Sequence, residues 1–222
     1  MIELRGVSKG YRLGGHRRQV IARMSFALPP GRNLAVMGPN GAGKSTLLRL
    51  ISGAEAPDRG RVIRRGRVSW ALGFAGCLNG AMTGVDNIRF VARLHGKDPR
   101  WMQAEVARLS GLGAELSKPV RNYSTGMRAR LSFGLSFALE FDLYLIDEIL
   151  AVGDAAFQRC CHEVFAERLG SAQLIMASHS EETLRRYCEC GIYLAGGQAQ
   201  FFDNLDDLFS MHREDRALSL AG

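Results

Sequence analysis

Residues 38–46 read GPNGAGKST, and their types and spacing are those of a phosphate-binding loop. Glycines let backbone N–H groups converge on phosphate oxygens at the start of a helix. The loop follows a short apolar run, residues 33–37, and precedes leucines and an isoleucine at helical spacing. Strand, loop and helix therefore follow one another in the order that such a site needs, and the sequence predicts a nucleotide site.

The polar side chains of the loop predict how a nucleotide is held. Lys44 can reach the β- and γ-phosphates, Ser45 can ligate Mg²⁺, and Thr46 can hydrogen-bond near the α-phosphate. Contacts are expected along the whole loop: Gly38, Pro39, Asn40, Gly41, Ala42, Gly43, Lys44, Ser45 and Thr46.

A second apolar run, LYLIDE at residues 143–148, ends in two carboxylates. Such a run is typical of a central parallel strand, and ligands bind at the carboxyl ends of these strands in open α/β sheets. We expect Asp147 to hold Mg²⁺ through water. Glu148 is expected to orient and polarise the attacking water, a role worth on the order of 10²–10⁴ in rate. The two carboxylates therefore predict that the site hydrolyses the nucleotide as well as binding it.

A third apolar run, residues 174–177, is followed closely by His179. An imidazole at the end of a strand can hydrogen-bond the γ-phosphate and sense its presence. A lone histidine is also a common structural hydrogen-bonder, so the sequence leaves both interpretations open.

The composition is that of a folded protein. The chain has 222 residues, of which 46% are hydrophobic and 23% charged, which excludes disorder as its main state. Its five cysteines lack the spacing of a secreted disulfide framework or of a paired zinc motif. Cys160, Cys161, His162, Cys188 and Cys190 could surround a metal, but burial of the thiols as small apolar groups is the favoured interpretation.

Nothing near the start of the chain predicts secretion. Glu3 and Arg5 occupy positions where a signal peptide needs an apolar core. The longest apolar stretch, residues 131–141, is interrupted by polar residues and is shorter than the roughly 20 residues that cross a bilayer. We expect a chain that stays inside the cell and forms no pore by itself.

The chain is basic, with a net charge of +7, and arginine supplies most of the positive charge. Five arginines crowd into residues 59–67. They could meet nucleic acid phosphates, anionic lipid headgroups or only solvent, and the solvated strand face is the favoured interpretation. No aromatic residues alternate with them, so stacking on single-stranded nucleic acid has little support.

The alternation of apolar runs with helical stretches around the phosphate loop predicts an α/β fold with a largely parallel sheet, and the mostly helical pattern of residues 83–140 predicts a helical lobe. Residues 59–74 alternate enough to supply further β-strands. We expect the core at residues 1–84 and 141–222 and the lobe at 85–140. In the lobe, Thr83 is predicted to cap a helix that carries Ile88, Val91 and Leu94. Asp98 and Pro99 are predicted to open another helix, with Met102, Val106 and Leu109 on its apolar side.

Four separated motifs together resemble the ATP-binding subunits of ABC transporters, over nearly the whole chain. GPNGAGKST resembles the Walker A loop, LYLIDE the Walker B strand, and YSTGMRARL, residues 123–131, the signature segment. His179 matches the switch histidine of that family, and Asp154 its D-loop. Tyr11 matches the aromatic residue on which adenine stacks. The resemblance implies a P-loop core in which a small antiparallel β subdomain accompanies the largely parallel sheet, with the helical lobe inserted into that core.

The signature segment also has local features of its own. Ser124 is a good N-cap, and Met127, Leu131 and Leu135 follow at four-residue spacing on one helix face. The resemblance implies that the segment of one subunit closes over nucleotide held by the other, through Ser124, Thr125, Gly126 and Met127. It thus implies a homodimer that closes on two molecules of ATP with Mg²⁺ and opens after hydrolysis.

Within that family the likeness is narrower. SWALGFAG, GAMTGVDNIRFVARLHG and DEILAVGDAAFQ resemble segments of subunits that export capsular polysaccharide across the bacterial inner membrane. The resemblance implies an ATPase on the cytoplasmic face of that membrane, peripheral and docked to an integral permease that handles the lipid-linked polymer. The alternatives are an O-antigen or teichoic-acid exporter subunit, or a soluble ABC-type switch on nucleic acid or ribosomes. The first interpretation is favoured and expects no nucleic acid partner.

Two segments depart from the family pattern. The usual signature LSGGQ is altered at Thr125 and Met127, a form that capsule-type subunits tolerate. No glutamine lies between Gly66 and Asp86, where the family has its Q-loop, and Asn79 is the candidate substitute. Residues 70–82 are predicted to line a groove for a helix of the membrane partner, or else to form a mobile surface loop.

Overall fold

The computed structural model describes residues 2–72, 78–147 and 155–221. They form two compact units. One contains residues 2–71, 141–147 and 172–221, and the other contains residue 72 with 78–140 and 155–171. The strands are β1 (Ile2–Leu13), β2 (His16–Ala27), β3 (Leu34–Met37), β4 (Arg59–Arg64), β5 (Val68–Leu72), β6 (Leu143–Asp147), β7 (Gln173–Ala177), β8 (Cys190–Ala195) and β9 (Gln198–Phe202). The helices are α1 (Lys44–Ser52), α2 (Gly84–Leu94), α3 (Pro99–Ser110), α4 (Thr125–Phe137), α5 (Ala155–Leu169), α6 (Glu181–Tyr187) and α7 (Leu205–Ala221).

The larger sheet of the first unit has the strand order β5-β6-β7-β3-β8-β9. Pairings β6–β7, β7–β3 and β3–β8 are parallel, and β9 joins β8 in antiparallel register. All four residues of β3 are buried, as expected for a strand covered on both faces. The carboxyl ends of β3, β6 and β7 therefore lie side by side at one edge of the sheet.

A second, three-stranded sheet has the order β2-β1-β4, with both pairings antiparallel. Its inner face buries Ile2, Leu4, Val7 and Ile21 in the same core as the residues of β3 and α1. The predicted fold class, a largely parallel sheet with a small antiparallel sheet and a helical lobe, is confirmed.

The second unit is helical. Thr83 forms a capping box with Asp86 at the start of α2, and Asp98 caps α3, as the sequence predicts. Phe133 of α4 packs against Phe157 of α5, with ring centroids 5.4 Å apart, so α5 belongs to this unit although it follows β6 in the chain. The assignment of functional domains with boundaries at 84, 85, 140 and 141 stays a prediction.

Helix α2 carries the three predicted apolar residues, but one of them lies off its buried face. Ile88 and Val91 are buried, but Leu94 is 70% exposed. At about 100° per residue, Leu94 points about 120° away from Ile88 around the helix axis, so it lies off the buried face. Among the helices that the structure describes, each is too short or too polar to cross a lipid bilayer.

Candidate functional site

Two glycines of the phosphate loop lie so close to neighbouring strands that no side chain fits at their positions. Gly38 has φ 146°, and a Cβ atom there would lie 2.1 Å from the carbonyl oxygen of Leu194. Gly43 has φ 105°, and its Cβ would lie 2.6 Å from Cγ1 of Val20. Side chains at these two positions are excluded by the neighbouring strands as well as by the backbone conformation.

The loop ends where α1 begins, at Lys44. Gly43 is the N-cap and has no side chain with which to cap the first N–H groups of the helix. These N–H groups and the positive end of the helix dipole thus face the loop, an arrangement that binds phosphate. The sequence prediction of strand, loop and helix is confirmed at this point.

A cavity of about 330 Å³ opens beside the loop. It brings together predicted residues from three separate segments of the chain. Its lining consists of Arg18, Val20, Asn40, Gly41, Gly43, Lys44, Ser45, Thr46, Asp147 and His179.

Lys44 is held at the mouth of the loop by backbone oxygens. Its Nζ donates to the carbonyl oxygen of Gly38 at 2.7 Å and to that of Pro39 at 3.1 Å. These bonds keep the ammonium group beside the loop, where it is placed to meet phosphate oxygens.

Asp147 and His179 come from adjacent parallel strands. Asp147 is the last residue of β6 and is opposite Ala177, the last residue of β7. His179 follows two residues later. Its neighbours are Ser178, which is buried, and Ser180, which caps α6 by accepting from the N–H of Thr183. The strand ends therefore place a carboxylate and an imidazole in the same cavity as the phosphate loop.

Tyr11 lies beside the loop through its hydroxyl group. This hydroxyl is 3.4 Å from Oγ1 of Thr46 and donates to Oε2 of Glu55 at 2.7 Å. Arg49 donates to Tyr11 and to Thr46, each at 3.2 Å. Burial acts to raise the pKa of Glu55, but bonds from Tyr11 and Lys9 outweigh it and hold that pKa below its usual value. Stacking of adenine on the Tyr11 ring stays a prediction.

The signature residues begin α4 in the helical unit. The N–H of Met127 donates to Oγ of Ser124 at 3.1 Å, so the predicted N-cap is confirmed. Ser124 and Thr125 are exposed, and Gly126 and Met127 are partly so. Leu131 and Leu135 are fully buried, which fixes the face of α4 that packs.

Some predicted positions lie outside the described residues. They are Glu148, Asp154 and residues 73–77 of the predicted groove segment 70–82, with Cys77 among them. Asn79 is described, and its Oδ1 accepts from the N–H of Ala81 at 3.0 Å, so its side chain stabilises its own turn. The buried Asn87 bonds to both the N–H and the carbonyl oxygen of Asn79. A role for Asn79 in place of a Q-loop glutamine stays a prediction.

Burial of the cysteines is confirmed for Cys161, Cys188 and Cys190, while Cys160 is half-exposed. Burial raises the pKa of the Cys161 thiol to about 12. Within the part of the chain that the structure describes, no three histidine, cysteine, aspartate or glutamate side chains gather as metal ligands.

Sequence reasoning missed two residues of the cavity, Arg18 and Val20, both from β2. Nη2 of Arg18 comes within 3.8 Å of the position that a Cβ on Gly41 would take. No motif marks Arg18, since it is one of several arginines in its segment. Only the pairing of β1 with β2 brings it to the loop.

Comparison with known proteins identifies the family. The family profile described as ABC transporter matches residues 21–151. This chain belongs to the ABC transporter family. The resemblance predicted from the motifs is confirmed, and the chain is an ABC-type ATPase.

Relatives within the ABC family match over almost their whole length. The polysialic acid transport ATP-binding protein KpsT of Escherichia coli is 43% identical over 97% of this chain and 100% of its own length. The ATP-binding protein BexA of Haemophilus influenzae is 40% identical over 96% of this chain and 99% of its own. The capsule polysaccharide export ATP-binding protein CtrD of Neisseria meningitidis serogroup B is 41% identical over 96% and 98%.

Solved ABC structures share the fold. The dimeric structure of a post-hydrolysis ATP-binding cassette bound to ADP and Pi matches with a TM-score of 0.76 and 20% identity, covering 92% of this chain and 99% of that one. The ATP-binding subunit of an ABC transporter matches with a TM-score of 0.75 and 23% identity, covering 100% and 99%.

Proposed function

We propose that this chain is the ATP-hydrolysing motor subunit of an exporter that moves lipid-linked capsular polysaccharide across the bacterial inner membrane. The observation that carries the ATPase site is the single cavity shared by the phosphate loop, Asp147 and His179. The substrate class rests on the similarity to KpsT, BexA and CtrD. The name of KpsT states polysialic acid transport, and that of CtrD states capsule polysaccharide export.

The residues of the cavity fit a magnesium nucleotide. The Ser45 hydroxyl and the Asp147 carboxylate line the same cavity, and hard oxygen donors of this kind are the ligands that Mg²⁺ takes in phosphoryl-transfer sites. When bound, the ion neutralises charge on the β- and γ-phosphates. The other groups that we assign to phosphate are the loop N–H groups and Lys44, with His179 beside the γ-phosphate.

Hydrolysis needs a group that orients water, and we assign it to Glu148, next to Asp147 in the chain. Deprotonation of water by Lys44 is excluded, since an ammonium group has no lone pair with which to accept a proton. Completion of the site falls to a second copy, whose Ser124, Thr125, Gly126 and Met127 would contact the γ-phosphate in trans. Closure of two copies on two nucleotides is thus the step that transmits work to an integral membrane permease, from its cytoplasmic side.

The capsule class is favoured over teichoic-acid export by the extent of the match. Teichoic acids export protein TagH of Staphylococcus haemolyticus is 33% identical, but only 74% of its length is covered. O-antigen export protein RfbB of Klebsiella pneumoniae is 32% identical, with 85% of its length covered. KpsT, BexA and CtrD are each covered over at least 98% of their length.

The test uses the full chain with its permease in lipid vesicles, assayed for phosphate release. Lys44→Ala is expected to abolish ATP binding and release. Glu148→Gln is expected to bind ATP and accumulate a closed dimer, seen by size-exclusion chromatography. Lys118→Ala, a change at an exposed lysine paired with Glu115 in the helical unit, is the control and is expected to match the parent. Phosphate release that survives Lys44→Ala overturns the ATPase site.

The substrate is tested in cells. In an encapsulated strain that lacks the chain, lipid-linked polymer is expected to accumulate inside, and the parent chain is expected to restore surface polymer while Lys44→Ala is not. Surface capsule that persists without the chain, together with loss of another surface glycan, would refute the capsule assignment and leave the ATPase assignment intact.

A further inference from the structure

Helix α7 packs on strands β3, β8 and β9 of the larger sheet. Its first half buries Leu205, Leu208 and Phe209, and Leu208 lies close to β8, against Gly191. Its second half carries His212 and Asp215, both half-buried. The Tyr193 hydroxyl of β8 donates to Oδ2 of Asp215 at 2.6 Å and ties this part of α7 to the sheet.

A second cavity, of about 370 Å³, lies between α7 and the phosphate loop. Pro39 and Asn40 line it from the loop, and His212, Asp215 and Arg216 line it from the helix. His179 lines both this cavity and the nucleotide cavity. The switch histidine therefore has the nucleotide cavity on one side and α7 on the other.

His212 has an unusual environment in this cavity. Its Nδ1 is buried and has no hydrogen-bond partner among the residues that the structure describes. A buried polar atom without a partner costs about 1–3 kcal/mol, so its position calls for an explanation. The ring of Tyr193 lies beside the imidazole ring of His212, with the two ring centroids 6.0 Å apart.

The charges around His212 favour a neutral ring. Burial lowers the pKa of His212, and electrostatic interactions with His179, Arg216 and Lys44 lower it further, while Glu181 acts in the opposite direction. Asp215 and Tyr193, which complete the surroundings, are already bonded to each other. A neutral imidazole offers one donor and one acceptor, which are the groups that orient a neighbouring imidazole.

We propose that His212 is a positioning residue for His179: when nucleotide is bound, Nδ1 of His212, which lacks a partner within the described part of the chain, forms a hydrogen bond with His179 across their shared cavity and orients the switch histidine toward the γ-phosphate. This inference rests on the proposed ATPase function, in which His179 contacts phosphate. It adds that α7, outside all of the recognised motifs, is coupled to the nucleotide through a histidine pair.

The test compares kcat, KM and the pH profile of ATP hydrolysis in the full chain with its permease. His212→Leu removes both ring nitrogens and is expected to lower kcat about 10- to 100-fold, the range for a misplaced catalytic group, with KM changed less than about threefold. His212→Asn, which restores an amide near Nδ1, is expected to recover a large part of kcat. His16→Leu changes an exposed histidine in the β1–β2 hairpin and is the matched control.

The pH profile separates positioning from packing. Protonation of His212 would place another positive charge beside His179 and Lys44, so the parent is expected to lose kcat on the acid side in a step that His212→Leu and His212→Asn lack. If His212→Leu lowers only the melting temperature, and its kcat and pH profile match those of His16→Leu, the inference is wrong. Should the parent fail to hydrolyse ATP, or Lys44→Ala retain activity, the proposed function fails instead.

Discussion

Nε of Arg64 donates to the carbonyl oxygen of Ile51 at 2.7 Å, and Nη2 of the same side chain donates to that of Leu50. These oxygens belong to the last turn of α1, whose carbonyls have no partner inside the helix. A cation at this end also opposes the negative end of the helix dipole. Arg64 of β4 thus caps the helix that begins at the phosphate loop.

Arg64→Gln is expected to lower the free energy of unfolding by about 1 kcal/mol, because a charge-assisted cap is lost at a partly exposed site. In a chain of this size that corresponds to a fall in melting temperature of roughly 2–4 °C, measurable by calorimetry. Arg61→Gln, on the same strand, is the control and is expected to change it little. Equal shifts in the two variants would remove the capping role.

Because Arg64 caps α1, its role in stability has to be tested separately from any attraction of residues 59–67 to lipid. If Arg61, Arg65 or Arg67 meets anionic headgroups, their replacement by glutamine is expected to weaken sedimentation with anionic vesicles, most of all at low salt. Arg64 is unsuitable for that test, since its loss also loosens α1. Unchanged sedimentation would leave these arginines as solvated surface.

The backbone at Gly43 is expected to tolerate no side chain. Gly43→Ala would place Cβ 2.6 Å from Val20 and would add the strain of a left-handed conformation. Gly96→Ala isolates the strain, because Gly96 has φ 63° and no atom within 4 Å of its Cβ position. We expect Gly96→Ala to cost about 1 kcal/mol and leave ATP affinity unchanged. Gly43→Ala is expected to cost more and to abolish binding of a fluorescent ATP analogue.

A binding affinity of Gly43→Ala equal to that of Gly96→Ala would show that the loop yields at Val20. The close contact between Gly43 and β2 would then make no difference to ATP affinity. The two variants differ in whether a neighbour occupies the Cβ position, so their difference measures that contact.

Glu55 predicts a pH dependence of stability. Its pKa in the folded chain is lower than in the unfolded chain, so its contribution is complete above the unfolded value of about 4.5 and is lost as the pH falls through the folded value. Glu55→Gln is therefore expected to lower the melting temperature at pH 7, with a difference from the parent that shrinks between pH 5 and pH 3. Glu214→Gln, at an exposed position of α7, is the control. A difference that is constant with pH would contradict the assignment.

The sequence was most informative where chemistry restricts residue type. The phosphate loop, the Ser124 cap and the ends of β6 and β7 follow from local pattern, because glycines, N-caps and apolar runs each act within a few residues. Arg18, Arg64 and His212 could not be found in this way. Each acts on a segment far away in sequence, and only strand pairing or the course of α7 brings it there.

The presence of Leu94 in α2 did not show that its side chain lies off the buried face. The three apolar residues Ile88, Val91 and Leu94 are three apart, whereas the buried face advances by three and four residues alternately. A run of threes drifts around the helix, and at the third residue the side chain has left the core.

Arg18 is expected to contribute to nucleotide affinity by charge alone. It lies at the edge of the phosphate cavity, exposed, and its guanidinium faces the loop at Gly41. Since ATP carries several negative charges, Arg18→Gln is expected to raise the Kd for ATP about 5- to 10-fold at low salt. Screening reduces interactions between exposed charges, so the ratio of the two Kd values is expected to approach one near 1 M salt.

The matched control for Arg18 is Arg12→Gln, at an exposed arginine of the same hairpin that lines a different hollow, with Arg17 and Arg59. Titration of both variants with a fluorescent ATP analogue at several salt concentrations gives the two slopes. If Arg12→Gln weakens ATP binding as much as Arg18→Gln does, the net positive charge of the chain accounts for the attraction of ATP. A loss confined to Arg18→Gln and removed by salt assigns it to the side chain that strand pairing places at the phosphate loop.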